Sequence, residues 1–202
     1  MTTHLTDVET IIQTITVTDD VLAYLKVQCG NVDFSDFPRS YYSSLAFKYK
    51  LLYPYLLADD AVIVDVGGGL SGIGILLKKI YPKLQYHVLD GDLSDPKFPG
   101  VKGVPFNDFK TTRQFYIDNG VEPPILHNCN TRNLPDGIDL VFSFASWGFH
   151  FPLSTYEDIF PKIKPCGFCG AELRYPVNET MPGRMEHAQM TSYKKQWTVH
   201  VF

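Results

Sequence analysis

Long basic runs are missing from this sequence: the longest are the pairs Lys78-Lys79 and Lys194-Lys195. With 18 lysines and arginines against 22 acids, the net charge is −4 and the pI about 5.8. That balance argues against nucleic acid or a membrane surface as a partner held by sequence-wide attraction. No stretch approaches the ~20 apolar residues of a membrane-crossing helix. The opening "MTTHLTDVETII" has neither the basic nor the apolar part of a leader. The expected location is the cytoplasm. Cysteine is scarce, with four in the chain (29, 129, 166 and 169), and a domain of this size needs no disulfide staples. Cys166 and Cys169 form a C-x-x-C with no second pair at zinc spacing, so they read as buried or turn residues and no metal is expected. His4, His87, His127, His187 and His200 show no ligand spacing and read as solvent or strand residues. Internal repeats and low-complexity tracts are also missing.

What is present describes one domain of 202 residues, long enough to bury its own core. Residues 1–60 read as a helical extension: "DDVLAYLKVQCG" is capped by Asp19 or Asp20, and "RSYYSSLAFKYKLL" ends before Pro54. From Ala61 short apolar runs alternate with helical segments. "AVIVDV", "LQYHVLD", "PILHNCN", "IDLVFSFA" and "GFCGAELRY" read as strands. "SGIGILLKKIY" reads as a helix capped by Ser71, and "NDFKTTRQFYIDNG" as one capped by Asn107 and stopped by Gly120. "PLSTYEDIF" carries a Ser154/Glu157 capping-box pattern. Buried strands joined by helices imply a doubly wound, mostly parallel α/β sheet. Its core spans 61–175, and 176–202 form a C-terminal strand region.

The densest signal is "AVIVDVGGGLSGIG", where Gly67, Gly69 and Gly72 satisfy G-x-G-x-x-G and Asp90 follows at the ~20-residue interval. That pattern alone fits a dinucleotide. Asp65, two residues before the first glycine, opposes it, because a buried carboxylate beside a pyrophosphate costs several kcal/mol. A cationic ligand without phosphate suits the acid better, and S-adenosylmethionine is one.

On these residues the chain resembles the class I S-adenosylmethionine-dependent methyltransferases, whose first motif reads acid-x-Gly-x-Gly-x-Gly. Here "DVGGGLSG" supplies Asp65, Gly67, Gly68 and Gly69, with Leu70-Ser71 where a third alternate glycine is common. "NTRNLPDGIDLVFS" is similar to the segment before the fourth strand, with Asn130 in an acid's place. "IKPCGF" is similar to the Lys-Pro-Gly-Gly turn before the fifth, with Cys166 for the first glycine. The resemblance covers roughly residues 61–175. It implies that the glycine backbone passes the methionine part of the cofactor, that Asp90 with Gly91 takes the ribose, and that Asn130 reaches adenine. Ser146 and Trp147, in "SFASWGFHFP", would face the cofactor; Trp147 reads equally as core.

Ligands of open α/β sheets sit outside the carboxyl ends of the strands. There His150 is the candidate general base, with a pocket-wall role as the other reading. Phe149, Glu172 and Arg174 are candidate acceptor-binding residues, and Glu172 and Arg174 read also as a structural pair. Tyr41 and Tyr42, with Arg39, lie where relatives place a lid, and read also as core. No Asn-Pro-Pro-Tyr follows the fourth strand, which argues against amino-methylation of DNA bases. "SWGFHFP" resembles small-molecule and sugar O-methyltransferases, which implies a small polar acceptor such as a sugar hydroxyl. An RNA cap or ribose methyltransferase and a non-catalytic binding module stay open. Few residues follow "ELRYP", so the far sheet edge is expected to be shortened, absent, or completed by a partner subunit in a homo-oligomer.

Overall fold

The computed structural model describes residues 5–29, 35–56, 58–92, 107–149 and 151–202. It divides into two compact units, one of residues 1–60, 69–84 and 92–124, the other of 61–68, 85–91 and 125–202.

The second unit is a sheet. Its strands are β1 (Val62–Val66), β2 (Gln85–Asp90), β3 (Ile125–Asn128), β4 (Ile138–Ser143), β5 (Ile163–Arg174), β6 (Arg184–Ser192) and β7 (Lys195–Val201). They lie in the order β3-β2-β1-β4-β5-β7-β6. Strands β1 to β5 run parallel, and β7 pairs antiparallel with both β5 and β6. The apolar runs explain the centre: β4 is buried along its whole length, and β1 is buried from Ile63 to Val66. One core gathers Val64, Val66, Val141, Ile159, Ala171 and Leu173. At the amino ends, the buried Asp139 accepts the Val62 N–H at 2.8 Å and pairs with Lys164. That locks β1, β4 and the start of β5 together.

The far edge of the sheet, expected to be shortened, absent or completed by a partner subunit, is present as β7 and the edge strand β6, formed from the 27 residues after Tyr175. The shortening falls on the connection, since no helix or strand lies between β5 and β6. Cys166, standing for a turn glycine, takes φ +64°.

The first unit carries the α-helices α1 (Leu5–Gln13), α2 (Asp19–Cys29), α3 (Arg39–Leu52), α4 (Gly72–Ile80) and α5 (Phe109–Asp118). Helix α4 buries Ile73, Ile75, Leu76 and Leu77, the stripe that its sequence announces. Several caps differ from expectation. Ser71 precedes α4 at φ +49°, with its side chain making no cap bond. Asp108, not Asn107, caps α5, accepting from the Lys110 and Thr111 N–H groups, while Asn107 takes the Thr112 hydroxyl. Thr18 rather than Asp19 or Asp20 accepts from the first turn of α2 through the Val21 N–H. In the sheet unit, Leu153–Lys162 is a kinked 3-10 segment rather than a helix with a capping box. It starts at Pro152 with no side-chain cap there, and the Leu153 N–H goes to Glu179 at 2.5 Å.

Candidate functional site

The strand order reverses between β1 and β4, so a switch point opens at their carboxyl ends. Register sets the residues found there: Val66 stands beside Leu89, Asp90 beside Asn128, and Ser143 beside Ala171. Asp65 is buried and accepts the Tyr86 hydroxyl at 2.9 Å. A Cβ on Gly68 would overlap that carboxylate, so the bare backbone of Gly68 lets the chain turn over it. Gly67, at φ +70°, donates its N–H to the Leu89 carbonyl at 2.8 Å and lies under the Ser146 side chain. Ser143 ties the turn down: its hydroxyl donates to Val66 O at 2.7 Å and accepts the Trp147 N–H at 2.9 Å.

Asp90 is half-buried at the end of β2, where its Oδ1 accepts the Gly91 N–H at 2.7 Å. The Asp90 carbonyl accepts the Cys129 N–H at 2.9 Å, which holds the β3 exit loop beside it. In that loop Asn130 is exposed, and its N–H donates to Asn128 Oδ1 at 2.8 Å. Tyr156 stands over the same loop. Burial, then the neighbouring Cys129 and Asp90, push its phenol well above the usual range, and the Arg132 guanidinium lies 5.4 Å from its ring.

At the ends of β4 and β5 the chain folds back through Gly148, whose N–H donates to Phe151 O at 2.7 Å. Its carbonyl accepts the Arg174 N–H at 3.2 Å. Phe149 is thereby set beneath two cations, with the Arg174 guanidinium 4.9 Å and Lys195 Nζ 5.1 Å from its ring centre. Glu172 and Arg174 do not pair with each other. The buried Glu172 takes Thr191 Oγ1 at 2.9 Å and Lys195 Nζ at 3.5 Å, whereas Arg174 donates to Phe149 O at 3.2 Å. Trp147 takes the core reading: it is fully buried and its indole N–H donates to Leu153 O at 2.9 Å. His150 lies outside the described residues.

Gly69, Tyr41 and Tyr42 belong to the helical unit. The Tyr41 hydroxyl sits over Gly72 at the start of α4, and burial raises its pKa. Tyr42 points elsewhere, donating to Ile15 O at 2.9 Å. Their ring centres stand 6.1 Å apart.

Sequence reasoning missed Tyr86, Ser143 and Tyr156. It also missed a histidine pair. His87 Nδ1 and His127 Nε2 share a hydrogen bond at 2.9 Å with rings stacked 5.2 Å apart. Burial and the neighbouring ring lower the His87 pKa to about 4, and burial lowers that of His127. Among the described residues no cluster of three or more potential ligands is placed for a metal ion, and no helix is long and apolar enough to cross a membrane.

No family model matches the chain. Over 38 residues it is 42% identical to the O-methyltransferase gedA of Aspergillus terreus, a match covering 19% of this chain and 8% of that protein. Solved structures extend the likeness to most of the chain. TrmN from Thermus thermophilus superimposes with a TM-score of 0.55 at 14% identity, over 77% of this chain and 48% of that one. An RNA methyltransferase from Salinibacter ruber, in complex with S-adenosyl-L-homocysteine, gives 0.52 at 11% identity, over 75% and 87%. The fold is the Rossmann-like fold of class I S-adenosylmethionine-dependent methyltransferases. The chain spans about half of TrmN and a small part of gedA.

Proposed function

We propose that this chain is an S-adenosylmethionine-dependent methyltransferase that methylates a hydroxyl of a small polar acceptor, a sugar hydroxyl being one such group. The observation that carries the reading is the charge at the switch point. Residues 65–68 and 89–91 hold two carboxylates, Asp65 and Asp90, and no cation. That set fits a sulfonium ligand with ribose hydroxyls and opposes a pyrophosphate.

When bound, the cofactor would supply a methyl carbon activated by positive sulfur to the acceptor hydroxyl, whose proton a base such as His150 would take. The protein's part is placement. Asp90, held in position by the Gly91 N–H, would accept from the ribose hydroxyls. Gly67 and Gly68 give close approach to backbone, and Asp65 sets a negative potential behind them. The loop through Gly148 presents the acceptor side. His150 as general base remains part of the proposal.

Calorimetry with S-adenosylhomocysteine tests this. Binding should be measurable, and Asp90→Ala should weaken it roughly 10- to 100-fold, the worth of a charged acceptor at ~1.5–3 kcal/mol. No binding at millimolar concentration would overturn the reading. Affinity for a short RNA that collapses as salt rises would move the acceptor from a small molecule to RNA.

A further inference from the structure

Beyond the β4 and β5 ends lies a cavity of about 260 Å³, walled by residues 148, 149, 151 and 152 from one segment and 173, 174 and 176–179 from the other. That volume lies just below the ~300–1,000 Å³ usual for ligand pockets and fits a molecule of one or two rings better than a polymer. Phe149, Phe151 and Leu173 give it apolar and aromatic walls. Among its lining residues the cation is Arg174 and the anion is Glu179.

Both charged groups are anchored. The Arg174 guanidinium donates one N–H to Phe149 O at 3.2 Å and stacks on that ring, so ligand binding costs it little further freedom. The rest of its planar fork is shaped for a carboxylate. Glu179 is fixed by the Leu153 N–H at 2.5 Å. None of the ion pairs among the described residues joins Arg174 to Glu179.

We infer that this cavity takes its ligand as a hydroxylated monocarboxylic acid on a flat apolar ring, with the carboxylate on Arg174 and a hydroxyl toward Glu179. The inference rests on the methyltransferase reading only in making that ligand the methyl acceptor. A neutral sugar would leave the guanidinium fork unmatched and offer the aromatic walls little apolar surface. A phosphate monoester would bring a second negative charge toward Glu179 and be opposed by it. The structure thus narrows a polar acceptor to a singly charged one.

Titration calorimetry on the whole chain, with S-adenosylhomocysteine present, tests the inference with three probes. They are 3,4-dihydroxybenzoate, catechol (the same ring without the carboxylate) and phenyl phosphate. The acid should bind about 10-fold tighter than catechol, the usual worth of a charge-assisted pair near the surface. Arg174→Gln should bring the two to equal, weaker affinity while the melting temperature and S-adenosylhomocysteine binding stay unchanged. Arg174→Lys, which keeps the charge and loses the fork, should fall between, and it serves if the first variant does not fold. Glu179→Gln should keep the acid and improve phenyl phosphate. Equal binding of acid and catechol, no probe binding at millimolar concentration, tighter binding of phenyl phosphate, or acid affinity indifferent to Arg174 would each overturn the inference. Failure of the methyltransferase reading shows separately, as loss of S-adenosylhomocysteine binding with the acid-over-catechol preference intact.

Discussion

The polar side chains at the centre of the sheet, Asp65 on β1, His87 on β2 and Asp139 and Ser143 on β4, are enclosed, whereas β6 spreads its own into solvent. Asp65, His87, Asp139 and Ser143 are all at most 6% exposed, and each is hydrogen-bonded to a backbone group or to a side chain of a neighbouring strand. On β6 the Arg184 side chain is 77% exposed, and Glu186 and His187 are exposed as well. The first kind of polar group is costly to bury and so must be held in one place. The second kind stays near water and has little to lose. A site that must hold a cofactor in fixed geometry is best built from the first kind. A site that must discriminate among acceptors can be assembled from long side chains such as Arg174.

The comparison breaks most sharply at Gly67. Alanine there would keep φ +70° and drive its Cβ into the Ser146 side chain. Left-handed backbone costs ~1–2 kcal/mol and overpacking a further ~1–3, so urea unfolding should show a loss of about 3–4 kcal/mol. Gly137→Ala is the control, with φ +74° and nothing within 4 Å of the added Cβ, and should lose only the backbone part. Equal losses in the two would show that the Ser146 contact contributes nothing.

The histidine pair sharpens the comparison through pH. In the folded chain His87 titrates near 4, below the ~6.5 of the unfolded state. At pH above ~6.5 both states are neutral and the stability is fully present. As pH falls from there toward 4, the unfolded chain takes up protons that the folded chain refuses, so stability falls by on the order of 2–3 kcal/mol. Replacing both His87 and His127 by Asn should flatten that part of the stability–pH curve. An unchanged slope would remove the pair as its cause.

Tyr86→Phe is expected to cost less, about 1–2 kcal/mol, because the buried Asp65 loses one hydrogen-bond donor while the ring stays in place. Cofactor affinity should fall with it, since Asp65 and Gly68 share their space. Unfolding midpoints and calorimetry on the same samples read both effects.

These residues also mark what could be read from sequence. The apolar run of β1, the glycine turn and Asp90 were legible because hydrophobicity, backbone freedom and an acid at fixed interval are local properties. The Tyr86–Asp65 bond was not, since it depends on which residues of β1 and β2 stand abreast. His87 and His127 lie 40 residues apart and meet only through the β2–β3 register. Strand β6 escaped notice because "RMEHAQMTS" is exposed on both sides and shows no alternation to detect. The Arg174 cavity draws on two segments that only the fold unites, with Asn178 and Glu179 carrying no local sign. Caps failed by single residues, as at Asn107 and Asp108, where either side chain can chemically serve.

The smallest expected effect lies on the exposed side of the comparison, at Lys195. Its Nζ stands 3.5 Å from Glu172 Oε2 and its side chain is 33% exposed, so water screens much of the attraction. Glu172 is 8% exposed and would keep the Thr191 hydroxyl at 2.9 Å if the lysine were lost. Lys195→Met preserves most of the stem that packs along β7, so the loss should not exceed about 1 kcal/mol. Raising salt to 1 M should shrink the difference between parent and variant, as screening weakens a half-solvated pair. A loss several times larger and insensitive to salt would mean that Glu172 is a buried charge dependent on its partner. The hairpin would then belong with the enclosed half of the sheet.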